Sequence, residues 1–183
     1  MRRLVILSLL LVLVAGIPAG ASTFREMDQR ELVQKSAAVV DGEVLQVHSF
    51  WDPKGRMMIT EAIVRVSDSV VGNIGSAIVV RTFGGTVEGY TVEAHGFPTF
   101  KRGDRYLLYL ESEKAGAHRV TGYQLGQYRI VRDKNGAEVA VPTFDGDARL
   151  VTRNGRQAER PRALALDALK NQIRTEAQSL GRE

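Results

Sequence analysis

From Val40 to Val141 the apolar residues recur at every second position, in short runs cut by glycine- and proline-bearing turns. That period belongs to strands and not to helices, so the middle of the chain is β-structure. Val40, Gly42 and Val44 alternate with Asp41 and Glu43, and the apolar set then changes parity to Leu45 and Val47. Such a shift predicts a bulge or bend within one long strand. Asp52-Pro53-Lys54-Gly55 reads as the turn that returns the chain into a second strand, Met58 to Val66. Gly72-Asn73-Ile74-Gly75 connects to a third strand, Ile78 to Phe83. Tyr106 to Leu110 is apolar on both faces, the pattern of a central strand. Val120 to Tyr123 and Gln127 to Val131 follow, and Asn135-Gly136 before Val139 to Val141 is a hairpin signal.

Helical spacing is confined to the two ends of this region. Asp28 with Glu31 three residues on, and Met27 with Leu32, predict a capped and stapled helix over 28–36. Leu166, Leu169, Ile173 and Leu180 form one apolar stripe in a helix from Pro161 to about Ser179, with Lys170, Arg174 and Glu176 mostly off it. The expected fold is therefore mainly β: a small, partly open barrel of the OB type, or a sandwich, with a short N-terminal helix and a C-terminal amphipathic helix.

Ahead of this lies Met1-Arg2-Arg3, an apolar run from Leu4 to Ile17, then Pro18 and Ala19-Gly20-Ala21. Positive start, apolar centre and small-x-small end are the parts of a cleavable export signal, with cleavage expected before Ser22. The run is shorter than the roughly 20 residues that a membrane-spanning helix needs, and no later apolar run is long enough to span. The expected organisation is a signal at 1–21, a barrel-like domain at 22–152, and a basic linker with the C-terminal helix at 153–183. The expected location is secreted or periplasmic.

Composition narrows the function. The chain has no cysteine, which excludes thiol catalysis, cysteine-bound zinc, lipidation at cysteine and a disulfide-stapled scaffold. Without Arg2 and Arg3 there remain 23 basic and 21 acidic residues, an excess too small to steer a polyanion strongly. Nucleic acid is therefore not an expected partner.

Several phrases occur together: Thr23-Phe24, Glu31-Leu32-Val33, Ser36 to Val40, Gly42-Glu43-Val44 and Ser49-Phe50-Trp51. Thr60, Val70-Val71-Gly72, Gly84-Gly85, Gly96-Phe97-Pro98-Thr99-Phe100 and Gly122-Tyr123-Gln124-Leu125-Gly126 continue the series. Over roughly residues 23–132 the chain resembles a group of uncharacterised secreted bacterial proteins built on this series, whose motifs group sequences but carry no known chemistry. Ala37 to Val44 is also loosely similar to the opening strand of netrin-like domains, such as those of tissue inhibitors of metalloproteinases. Those domains depend on disulfides and an N-terminal cysteine, so a metal-chelating inhibitor mechanism does not carry over to this chain.

No catalytic set is legible. His48, His95 and His118 have no metal-ligand spacing; Glu93 and His95 share a strand face but need a further ligand. Asp145-Gly146-Asp147 lacks the remaining oxygen ligands of a calcium loop. No serine sits in a nucleophile elbow, and Gly84-Gly85 has neither the lysine nor the helix start of a phosphate loop. No cofactor is implied. Glu43, Glu61, Glu88, Glu93 and Glu111 are explained by alternation as the wet face of strands, and only folding can bring two together.

The segment from Gly84 to Phe100 is the expected recognition surface: Gly84, Gly85, Tyr90, Phe97, Pro98 and Phe100, joined by Trp51 beside its turn. The other reading of the same aromatics is a plug in one end of the barrel. The expected function is an exported, non-catalytic binding module with an exported protein as favoured partner, a protease on the netrin-like likeness alone. The alternatives are a cell-envelope hydrolase using carboxylates that folding assembles, and an envelope structural protein.

Overall fold

The structure, a computed structural model, describes residues 23–144 and 148–182. The export signal and the Asp145-Gly146-Asp147 motif lie outside the described residues. Among the described residues, twelve strands and two α-helices follow in order. They are β1 (Thr23–Arg25), α1 (Gln29–Lys35), β2 (Ala38–Trp51), β3 (Met58–Val71), β4 (Ala77–Phe83), β5 (Gly85–Val87) and β6 (Tyr90–Val92). After these come β7 (Arg105–Ser112), β8 (Ala117–Val120), β9 (Gln127–Arg132), β10 (Glu138–Pro142), β11 (Arg149–Val151), β12 (Leu164–Ala165) and α2 (Leu166–Ser179). Among the described residues, no helix is long and apolar enough to cross a membrane.

One sheet holds eight strands in the order β12-β10-β9-β7-β2-β3-β4-β8, and β8 also pairs with β7. The second pairing closes β7-β2-β3-β4-β8 on itself. Within the ring β4 and β8 run parallel and every other pair antiparallel, the connectivity of an OB-type barrel. β7 is shared: Arg105 to Leu108 pairs with β9, and Leu110 to Ser112 with β8. This explains its two apolar faces. Val40, Val44, Ala62, Val64, Val80, Leu108 and Leu110 fill the barrel, while Leu107 and Tyr109 point outward into a second core beneath the helices. The parity change in β2 is a register shift between Val44 and Gln46, where the sequence places it. The β9–β10 hairpin turns at Asn135-Gly136 as expected.

Both helices cover that outer core. Asp28 caps α1 by accepting from Glu31 N at 2.7 Å, but the Glu31 carboxylate reaches Arg25 and Lys35 rather than closing a box. α2 begins at Leu166, later than the predicted Pro161, and buries Leu166, Leu169, Ile173 and Ala177. Lys170, expected off the stripe, is buried: its Nζ donates to Asp41 at 2.6 Å and lies 3.1 Å from Asp68. Asp41 also accepts from Arg105 at 3.0 Å, and Arg174 donates to Asp68 at 3.0 Å. Burial alone would lower the Lys170 pKa, but the bonds to Asp41 and Asp68 outweigh it and raise it. The stretch from Arg153 to Arg160 is not a simple linker. Val151 bridges Gln157, and Ala158 is buried with Leu125 and Leu150 in a small third core.

Candidate functional site

An open cleft of about 600 Å³ lies on the barrel wall, bounded by β1, β3, β4, the 97–98 turn, the end of β7 and the 122–125 turn. That volume is within the range of small-ligand sites. Its floor starts from strand pairing. Ile59 stands opposite Phe83 and Glu61 opposite Arg81. The intervening Met58, Thr60, Val80 and Thr82 are buried, so alternation turns Ile59 and Phe83 outward. Phe83 is 42% exposed. An apolar pair thus occupies what period two assigns to the wet face.

Above it sits Phe97, its ring edge-on to Phe83 at 5.1 Å and to Tyr123 at 4.9 Å. Phe24 extends the cluster, 5.9 Å from Tyr123 and from Phe144. Such contacts match the ring quadrupoles. The turn carrying Phe97 is pinned at four consecutive carbonyls. Gln124 N donates to Gly96 O and Gln124 Nε2 to Phe97 O, both at 3.1 Å. Thr82 Oγ1 donates to Pro98 O at 2.8 Å, and Gln127 Nε2 to Thr99 O at 2.9 Å. Backbone acceptors turned from water need partners, and here the side chains of Thr82, Gln124 and Gln127 and the Gln124 backbone N–H supply them. Gly96 has φ +81, and a Cβ there would collide with the Phe24 ring. Only glycine fits that contact.

Tyr123 is held in the left-handed region at φ 60, after Gly122 at φ 66, yet its side chain is 48% exposed. A bulky residue in that conformation is a strained outlier.

Ion pairs ring the aromatics. Arg81 Nε donates to Glu61 at 2.7 Å, and Arg119 donates twice to Glu111 Oε2, at 3.0 and 2.7 Å. Arg25 and Lys35 converge on Glu31 at 2.5 and 3.0 Å. The Arg25 hydrogen bond is the main cause that brings the Glu31 carboxyl down to about 2, against an opposing effect of burial. Glu113 also lines the cleft.

Of the expected recognition residues, Phe97 and Pro98 line this cleft, and of the five carboxylates singled out from sequence, Glu111 does. Trp51 and Tyr90 are exposed but outside its lining. Phe100 is only 8% exposed and packs edge-on against Tyr106 inside the barrel, as the plug reading has it and not as a surface residue. Gly84 and Gly85 serve a strand junction: Thr60 Oγ1 donates to Gly84 O at 2.6 Å, and a Cβ on Gly85 would strike the Ser49 and Thr60 hydroxyls. Glu93 and His95 are both exposed. Glu43 pairs with Arg65. Met57, Ile59 and Phe83 escaped the sequence reading, although Ile59 and Phe83 share parity with Glu61 and Arg81. Phe24 and Tyr123 lay within the recurring phrases, without a role. No family model matches the chain, and no curated protein matches it.

Proposed function

We propose that this protein is an exported, non-catalytic binding module whose recognition surface is the aromatic cleft on β3 and β4. The observation that carries the reading is Tyr123: its strained backbone keeps a half-exposed ring edge-on against Phe97. A fold holds such strain only where surrounding contacts over-determine it, and strain of this kind gathers at ligand sites. Fold-level analogy agrees, since OB-type barrels bind ligands on the face of their second and third strands, here β3 and β4. The non-catalytic part rests on the carboxylates about the cleft: Glu111 in its lining, and Glu61 and Glu31 outside the lining, are each engaged by arginine. Export rests on the pattern of residues 1–21.

The test compares the native protein with the Phe83→Ala, Tyr123→Gly double variant, both immobilised and exposed to the exported fraction of the source cells. A component retained by the first and lost from the second is the expected result. Identical retention by both overturns the cleft as recognition surface. Intact mass of the protein recovered from that fraction is expected to start at Ser22, and a chain retaining Met1 overturns export.

A further inference from the structure

We infer that the cleft takes a short stretch of a neutral oligosaccharide, an inference that rests on the cleft being the recognition surface. The first argument is charge. Arg25, Lys35, Arg81 and Arg119 line the cleft, and their partners Glu31, Glu61 and Glu111 together with the lining Glu113 balance them, so these groups carry no net charge. An anionic polymer would find each lining cation already paired with a carboxylate, and would meet the lining Glu111 and Glu113; a cationic one would meet four cations. A ligand without charge meets neither penalty.

The second argument is the kind of hydrogen bond on offer. A guanidinium only donates and a carboxylate only accepts, whereas a sugar hydroxyl does both. The Arg81–Glu61 and Arg119–Glu111 pairs present fixed donors and acceptors side by side. Alongside them, with Phe83 two residues beyond Arg81 on β4, the half-exposed rings of Phe83 and Tyr123 offer apolar surface to the C–H face of a pyranose.

The third argument is backbone accounting. Along Val79 to Arg81 the cleft strand β4 pairs with β3 on one side and β8 on the other. At the cleft only Thr82 and Phe83 extend beyond that pairing, which leaves a peptide two residues of edge to add to as a strand.

The experiment titrates the purified protein with hexasaccharides of α-1,4-glucose, β-1,4-glucose and β-1,4-N-acetylglucosamine, following Phe83, Phe97 and Tyr123 by NMR. A galacturonate hexamer and a decaproline peptide are run beside them. At least one neutral chain is expected to shift these residues saturably, with an affinity unchanged by added salt. Phe83→Ala and Tyr123→Gly are each expected to weaken it about tenfold. Tyr123→Gly removes the ring while keeping a residue suited to the left-handed backbone, so loss of folding does not confound it. Binding of the galacturonate or the peptide alone, or of no probe, overturns the ligand class. Ring-dependent capture in the preceding experiment would then still carry the binding reading. Binding of equal strength to native and variants overturns both. Shortening of a bound hexasaccharide keeps the ligand class but overturns the non-catalytic reading, with Glu111 and Glu113 the carboxylates to replace.

Discussion

Asp41 lies on β2 with 1% of its surface exposed, yet it is a carboxylate in a segment that reads as an ordinary alternating strand. Alternation alone places it on a wet face. The structure instead covers that face with α2, and Lys170 and Arg105 converge on the buried oxygens. Removing one partner of a buried pair leaves the other without compensation, whereas replacing both by apolar groups is far milder. Asp41→Asn and Lys170→Met are each expected to cost about 3–5 kcal/mol in urea unfolding. The two losses are expected to be non-additive, because the second substitution relieves the charge the first one strands. Additive losses in a double-mutant cycle would show that the two side chains do not depend on each other. The aromatics of the cleft teach the same lesson at single positions. Phe100 and Phe97 are three residues apart in a glycine-rich stretch, and nothing local says that one enters the barrel while the other faces solvent.

Helix α2 is the element that completes the second core. Leu166, Leu169, Ile173 and Ala177 meet Leu107 and Tyr109 from the outer face of β7, and Tyr128 and Ile130 from β9. Its stripe was legible because a 3.6-residue period with four apolar positions has one solution. Its N-terminal boundary was not, because Leu164 and Ala165 are drawn into pairing with β10 before the helix begins. Ile173 is fully buried, so Ile173→Ala is expected to cost about 2–4 kcal/mol, transfer and cavity together. A loss under about 0.5 kcal/mol in denaturant unfolding would mean that α2 is not integral to the core.

The fold as a whole is bounded in pH by groups at opposite ends of the scale. The Glu31 carboxyl is depressed to about 2 from an ordinary 4.5, chiefly by its bond to Arg25. Its contribution to stability is therefore complete above pH 4.5 and is lost as pH falls from there toward 2. The Tyr106 hydroxyl is pushed up to about 12 from an ordinary 10, first by burial and then by the Asp104 carboxylate. Its contribution is complete below pH 10 and is lost as pH rises toward 12. Burial raises Tyr109 and Tyr128 in the same direction. Unfolding free energy measured across pH is expected to fall at both limbs. Glu31→Gln is expected to flatten part of the acid limb and Tyr106→Phe part of the alkaline one. An acid limb unchanged by Glu31→Gln would show that the Arg25 pair does not distinguish folded from unfolded chain.

The sequence by itself determined the long strands, their turns, the bulge in β2, the end helices and hence a mainly β fold, barrel or sandwich. Each of these rests on periodicity or turn chemistry within a dozen residues, and local sterics settle such features before any distant contact forms. The strand expected from Val120 to Tyr123 instead ends at Val120 and gives way to a turn. Tertiary structure alone decided the closure of the ring through the β7–β8 pairing, the burial of Asp41 with Lys170, and the cleft. The cleft gathers Phe24, Phe83, Phe97 and Tyr123, spread over a hundred residues, from four segments. Period two says which face of its own strand a side chain occupies. Which faces remain uncovered depends on every other segment, and that is settled only when the whole chain has packed.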